Sequence, residues 1–251
     1  MNVLVCVKRV PLTGGKITLT EDERAISTRH LGFTISPHEE CGVEEAVRLV
    51  EQHGGSSTVL TLGPPEAEEQ LRDMMAIGIE RAVHLLTGGE EWDPQATAAA
   101  IVSAIRAQSE PFDLLLFGNE SADAGNYQVA IRVAQALNLP VVTGVKGITV
   151  DGDTVRCEQE VGGGRDVYEV PMPAVVTVKE GLNLPRYPSV PGRLRAKRKP
   201  LDTVSPATAE PRLRMTRLKL PESAGKQVQV LGKGPDAAPA VVELLREIGV
   251  V

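Results

Sequence analysis

Aromatic residues make up only 3% of the 251-residue chain, with a single tryptophan. That scarcity excludes the stacking platforms that hold single-stranded nucleic acid. The formal net charge of −6 is also the wrong sign for a surface that neutralises phosphates. Cysteine is sparse: Cys6, Cys41 and Cys157 lie far apart and form no C-x-x-C pair. Neither a disulfide framework nor a zinc site is expected, and the chain reads as one from a reducing compartment. No apolar run approaches the ~20 residues of a membrane span. The opening MNVLVCVKRVP has neither the apolar core nor the cleavage site of a signal peptide. The expectation is a cytoplasmic protein that neither binds nucleic acid nor inserts into a membrane.

Several signatures of chemistry are missing as well. There is no G-x-x-x-x-G-K-[ST] phosphate loop and no G-x-S-x-G elbow. Gly14-Gly15-Lys16 lacks the first glycine and the hydroxyl of a phosphate loop and reads as a turn. The run from Gly232 to Ala237 fits G-x-G-x-x-A, but Pro235 sits inside it and too little chain follows to build a second strand. His38-Glu39-Glu40-Cys41 matches no metal-ligand spacing. No nucleophile with a base and an orienting partner is legible, so no catalytic residue is assigned.

What is present is alternation. Residues 3–7, 58–62, 82–86, 113–117, 141–143 and 174–178 are short β-rich runs. Between them lie helical patterns, such as Val43, Ala46, Val47 and Val50 spaced by charged residues. Strands alternating with helices of this length mean βαβ units. The fold class is α/β, with a doubly wound, mostly parallel sheet. Residues 148–170, with Asp-Gly between two β-rich runs, read as a protruding β-hairpin. Residues 183–221 hold seven prolines and no clear period, which predicts an extended surface arm. Residues 239–249 read as a terminal helix. The expected organisation is an α/β domain with its hairpin over 1–185, a loop over 186–200, and a C-terminal arm and helix over 201–251. Residues 186–219 carry ten Lys/Arg against Asp202 and Glu210, while the rest of the chain is acidic. This segregation suits an acidic partner surface.

One corner points to a ligand. An apolar strand pattern stops at Gly118, a dozen small or polar residues follow, and then a helix pattern begins. In open α/β sheets ligands sit beyond the carboxyl ends of strands, where helix N-termini offer unpaired N–H groups. Such loops usually run about 2–6 residues, and this one is roughly twice that. Ser121, Asn126 and Gln128 are candidates for ribose or phosphate. Asp123 suits either sugar hydroxyls or the cap of the next helix. Val129, Val133 and Leu137 recur every four residues and should face the sheet. A nucleotide site is the reading, and a stand-alone adenine-nucleotide-binding module is one protein that would carry it.

Four stretches together resemble the β subunit of electron-transfer flavoproteins: VCVKRVP, SPHEECGVEEAVRL, FGNESADAGNYQVA and PAVVTVKEGLNLPRYPSVPGRLRAKRK. The resemblance covers roughly residues 1–205. It implies pairing with an α subunit that holds most of one FAD, and a structural AMP in the β chain. It also implies electron collection from acyl-CoA or related dehydrogenases, as in fatty acid oxidation, and delivery to a membrane quinone oxidoreductase. The nucleotide loop would run through Gly118, Asn119, Glu120, Ser121, Ala122, Asp123, Ala124, Gly125, Asn126, Tyr127, Gln128 and Val129. Cys6, Ser36, His38, Glu39 and Leu62 match the family's other AMP-contacting positions. Tyr187, Val190, Arg193, Arg195, Lys197, Arg198 and Lys199 match its dehydrogenase-docking loop, with Val190 in the place of an anchoring leucine. Glu160, in the hairpin, is expected near the flavin or the α subunit's mobile domain. The chain departs from the family at Ser36, His38, Ala124-Gly125-Asn126, Ala130, Gln159 and Gly162. These departures leave open a second reading, an electron-bifurcating relative with a second FAD in place of AMP.

Overall fold

The computed structural model describes residues 1–12, 14, 17–221 and 229–250. Gly15 and Lys16 of the glycine-lysine turn lie outside the described residues. Residues 1–216 form one compact unit and residues 217–251 a second.

The strands of the first unit are β1 (Asn2–Cys6), β2 (Val10–Pro11), β3 (Phe33–Thr34), β4 (Ser56–Gly63), β5 (Arg81–Leu86), β6 (Leu114–Gly118), β7 (Val141–Asp151), β8 (Thr154–Val161), β9 (Gly164–Pro171), β10 (Ala174–Val178) and β11 (Leu201–Val204). Its helices are α1 (Pro37–His53), α2 (Glu68–Ile77), α3 (Pro94–Arg106), α4 (Val129–Leu137) and α5 (Val190–Ala196). Nine strands make one sheet in the order β11-β5-β4-β1-β6-β10-β7-β8-β9. The first seven run parallel, and β7–β8–β9 form an antiparallel meander. The doubly wound α/β expectation holds.

Period-two alternation explains why both faces are covered. Val3 and Val5 of β1 join Leu114 and Leu116 under α1 and α2, while Leu4 and Cys6 join Leu115 and Phe117 under α3 and α4. Val133 of α4 is fully buried, and Val129 and Leu137 pack against the same cluster, as the four-residue spacing requires. The expected hairpin is present and gains a third strand: Gly152, at a φ of 55°, turns β7 into β8, and Gly163, at 88°, turns β8 into β9.

The proline-rich stretch differs from expectation. It is not extended throughout, because Ser189 caps a helix whose Pro191 falls in the first turn, where a missing N–H costs nothing. The β-favouring Leu-Asp-Thr-Val that follows pairs in parallel with β5 as the sheet's edge. In the second unit, α6 (Ala238–Glu247) matches the expected terminal helix, and a 3-10 turn over Pro235–Ala237 precedes it.

Candidate functional site

The strand order decides where a ligand can sit. From β1 the chain winds outward through α1 to β4 and α2 to β5. It then crosses by α3 to β6, on the other side of β1. Loops leaving β1 and β6 therefore diverge, which opens a crevice at their carboxyl ends. A cavity of about 320 Å³ lies there, lined by Ser36, Pro37 and His38 at the start of α1, by residues 120–125 after β6, and by Glu180 after β10.

The floor is ionic. Lys8 follows β1, and its Nζ lies 2.8 Å from Asp123 Oδ2 and 2.6 Å from Glu91 Oε1. Burial opposes the Lys8 charge, but Glu91 and Asp123 outweigh it and hold the pKa above the ordinary lysine value. Burial likewise opposes the charge on Asp123, while Lys8 and hydrogen bonds from Ser121 and the Ala124 N–H pull its pKa below the usual range. Asp123 therefore ties the long loop to β1. The cap of α4 is Gln128, not Asp123.

Beneath the loop lies Glu39. Its Oε1 accepts from the Lys8 backbone N–H and its Oε2 from the Ser36 N–H, both at 3.0 Å. Burial pushes its pKa up to about 8, against those two bonds and the nearby Lys8. The Cys6 thiol is pushed up by burial and by Glu39. Gly118 ends β6 where α1 comes closest: a Cβ there would stand 2.7 Å from Glu39 Cγ. The Ser36 hydroxyl donates to the Glu120 carbonyl at 3.2 Å, which joins the two halves of the cavity wall.

Not every expected residue lines this cavity. Ser36, His38, Glu120, Ser121, Ala122, Asp123, Ala124 and Gly125 do. Glu39 and Gly118 lie behind the wall. Asn119 is held by β10: its N–H donates to the Val178 carbonyl, and its Oδ1 accepts from the Thr177 hydroxyl. Gln128 accepts from Arg132 at 2.9 Å, and Tyr127 is an exposed residue at a φ of 56° whose hydroxyl is bonded to Glu120. Cys6 and Leu62 end β1 and pack within β4, against the core under α3 and α4. Asn126 and Val129 lie beyond the lining. Lys8, Glu91 and Glu180 escaped the sequence reading, although Lys8 and Glu180 each lie just past a strand end and could have been found on that ground.

The residues present suit a nucleotide. Among the described residues His38 Nδ1 has no partner, though it is buried in the wall. Ser36 and Ser121 supply hydroxyls, and the 17-residue α1 directs the positive end of its dipole at the space.

A second feature sits on α5. Gly192 and Ala196 face α2, so close that a Cβ on Gly192 would stand 2.4 Å from the Ala76 carbonyl oxygen. Lys199 Nζ donates to the carbonyls of Met75, Gly78 and Ile79 at the end of α2, and Arg72 returns bonds to Ala196 and Lys199. Lys199 is thus turned inward, and Arg193 pairs with Asp73. Tyr187 and Val190, 95% and 74% exposed, stand outward with Leu184 and Leu194. Arg195, Lys197 and Arg198 are exposed and form no ion pair among the described residues. The segment is anchored upstream by Arg186, whose guanidinium bonds both oxygens of Glu44 and of Glu51. Asn183 donates to Glu45 at 2.9 Å. In the hairpin, Glu160 Oε2 lies 2.6 Å from Lys146 Nζ, which lowers its pKa.

Comparison with known proteins bears on both features. Residues 25–209 match the electron transfer flavoprotein domain family. The electron transfer flavoprotein subunit beta of Bacillus subtilis (strain 168) is 34% identical over 98% of each chain. That of Bradyrhizobium diazoefficiens is 32% identical over the full length of both, and the human one is 32% identical over 82% of each.

Proposed function

The chain belongs to the electron transfer flavoprotein family, on its β-subunit branch, and from that premise we propose that it serves as the β half of a heterodimeric electron carrier. The α subunit would hold most of one FAD and this chain would complete the site. The flavin, when bound, supplies the redox chemistry; the protein supplies position and electrostatics. Glu160, on a strand of the meander, is proposed to face the flavin or the α subunit's mobile domain.

We assign an adenine nucleotide to the cavity at the ends of β1 and β6. Its volume of about 320 Å³ suits a mononucleotide, and AMP is the occupant we favour. In this reading the α1 N-terminus faces the phosphate, the hydroxyl oxygens of Ser36 and Ser121 accept from ribose hydroxyls, and His38 Nδ1 meets the ligand. The nucleotide is structural: it ties the loop after β6 to α1. The alternative, a second FAD, rests on the departures at Ser36, His38 and Ala124-Gly125-Asn126.

The exposed strip Leu184, Tyr187, Val190 and Leu194, with Arg195, Lys197 and Arg198 beside it, is our candidate for docking dehydrogenases. An apolar anchor carries affinity and surrounding charge carries on-rate. Electrons would pass onward to a membrane quinone oxidoreductase. Among the described residues no helix is long and apolar enough to cross a membrane.

The observation that carries the assignment is the cavity at the point where the strand order reverses, with an orphaned His38 nitrogen in its wall. The test is to release small molecules with acid from the purified heterodimer and count them by mass spectrometry. One FAD with one AMP is expected. Two FAD without AMP would move the reading to the bifurcating alternative, and no flavin at all would end it.

A further inference from the structure

Among the described residues no lysine or arginine lines the cavity that we assign to a nucleotide. Lys8, beneath, is engaged by Glu91 and Asp123 at 2.6 and 2.8 Å. Three carboxylates, Glu120, Asp123 and Glu180, line the same space, and the buried Glu39 lies behind the loop. Phosphate here must rely on the α1 N-terminus, backbone N–H groups and hydroxyls. These offer partial positive charge only, about half a unit at the helix end, and nothing to balance the charge that further phosphates bring.

We infer that Glu120 and Glu180 form a charge filter that admits a nucleoside monophosphate and refuses di- and triphosphates. The inference rests on the nucleotide reading and adds its selectivity. Discrimination by a repulsive element matters when the competing ligand shares every attractive contact, and ATP shares the whole of AMP. Each phosphate beyond the first adds about one more charge. It would have to share the cavity with the carboxylates of Glu120, on the loop after β6, and Glu180, on the turn after β10. A divalent cation carried in on the triphosphate would offset part of its extra charge, so the filter is read most sharply without magnesium. A dinucleotide passes the filter, because its bridging diphosphate carries about the same charge as one terminal phosphate.

The heterodimer is unfolded in denaturant and refolded with FAD and equal AMP, ADP and ATP, with and without magnesium. Retained nucleotides are then counted by mass spectrometry. Wild type is expected to retain AMP over ATP by roughly tenfold or more, since repulsion at partly exposed positions multiplies affinity ratios several-fold per charge pair. Glu120→Gln combined with Glu180→Gln should bring that ratio toward one. Raising salt on the wild type should narrow it in the same direction, which needs no variant to fold. ATP retained as readily as AMP by wild type would overturn the filter. So would a preference that neither the double variant nor salt changes, because shape would then be the discriminator. A second FAD retained while ATP is refused would support the charge limit and replace AMP as the occupant. If wild type retains neither AMP nor a second FAD, the nucleotide reading itself fails and takes the filter with it.

Discussion

Glu39 keeps two backbone N–H groups on a carboxylate sealed from water, with Lys8, Asp123 and Cys6 as its nearest titratable neighbours. Its pKa is about 8 in the folded protein against an ordinary 4.5. The folded state therefore holds a proton that the unfolded chain releases across that interval. The stability that this proton contributes is full below about pH 4.5 and is lost as the pH rises to about 8. Glu39→Gln removes the titration, and its amide NH₂ also faces one of the two N–H donors. A cost of about 1–3 kcal/mol is expected for the bond lost. Unfolding of variant and wild-type heterodimer should be compared from pH 5 to pH 9. The variant should be clearly the weaker at the acid end, and the gap should shrink as the pH rises. A gap of constant size would mean that Glu39 does not change its protonation on folding.

The helices α1 and α5 show how an element can be placed by contacts that its own sequence does not advertise. Glu44, whose side chain is 3% exposed, has its pKa held down by Arg186 against the effect of burial. Removing one partner of a buried pair strands the other. Glu44→Ala should cost about 3 kcal/mol, the low end for such pairs because Arg186 stays 37% exposed and keeps Glu51. Protease cleavage between residues 184 and 200 should rise while flavin content holds. Unchanged cleavage would mean that Arg186 does not anchor the segment. Gly192→Ala should displace α5 from α2 for the steric reason given above, at a cost of about 1–3 kcal/mol. The same elements mark what the sequence could and could not yield. Strand alternation, the long loop after β6 and the helix beyond it were readable, because each depends on local periodicity or turn chemistry. The role of the paired glutamates in α1 was not, since their partners Asn183 and Arg186 lie some 140 positions away. Lys8 and Glu180 stand just past readable strands, but that both strands flank β6 was not readable. The helix inside the proline-rich stretch was hidden because its first-turn proline looked like a breaker.

At the scale of the whole assembly, labour is divided in this reading between the carboxyl ends of the central strands, which keep a nucleotide, and an exposed strip that meets changing partners. The strip's composition gives it a tunable term. Val190 stands 74% exposed at the start of α5, one methylene short of the leucine that the family resemblance leads one to expect there. A buried methylene is worth about 0.8 kcal/mol, or about a fourfold change in affinity. Val190→Leu should therefore lower the KM for the carrier about fourfold in steady-state turnover with a cognate dehydrogenase, and Val190→Ala should raise it by more. The maximal rate at saturation should stay put, because the residue lies outside the cavity that we assign to the nucleotide. Replacing Arg195, Lys197 and Arg198 with glutamine should act differently. It should slow association and flatten its dependence on salt, with little effect on dissociation. The two sets of variants thus separate anchor from steering charge. If Val190→Leu and Val190→Ala both leave KM unchanged with every dehydrogenase that reduces the carrier, the strip around α5 is not where those partners dock, and the surface must be sought elsewhere.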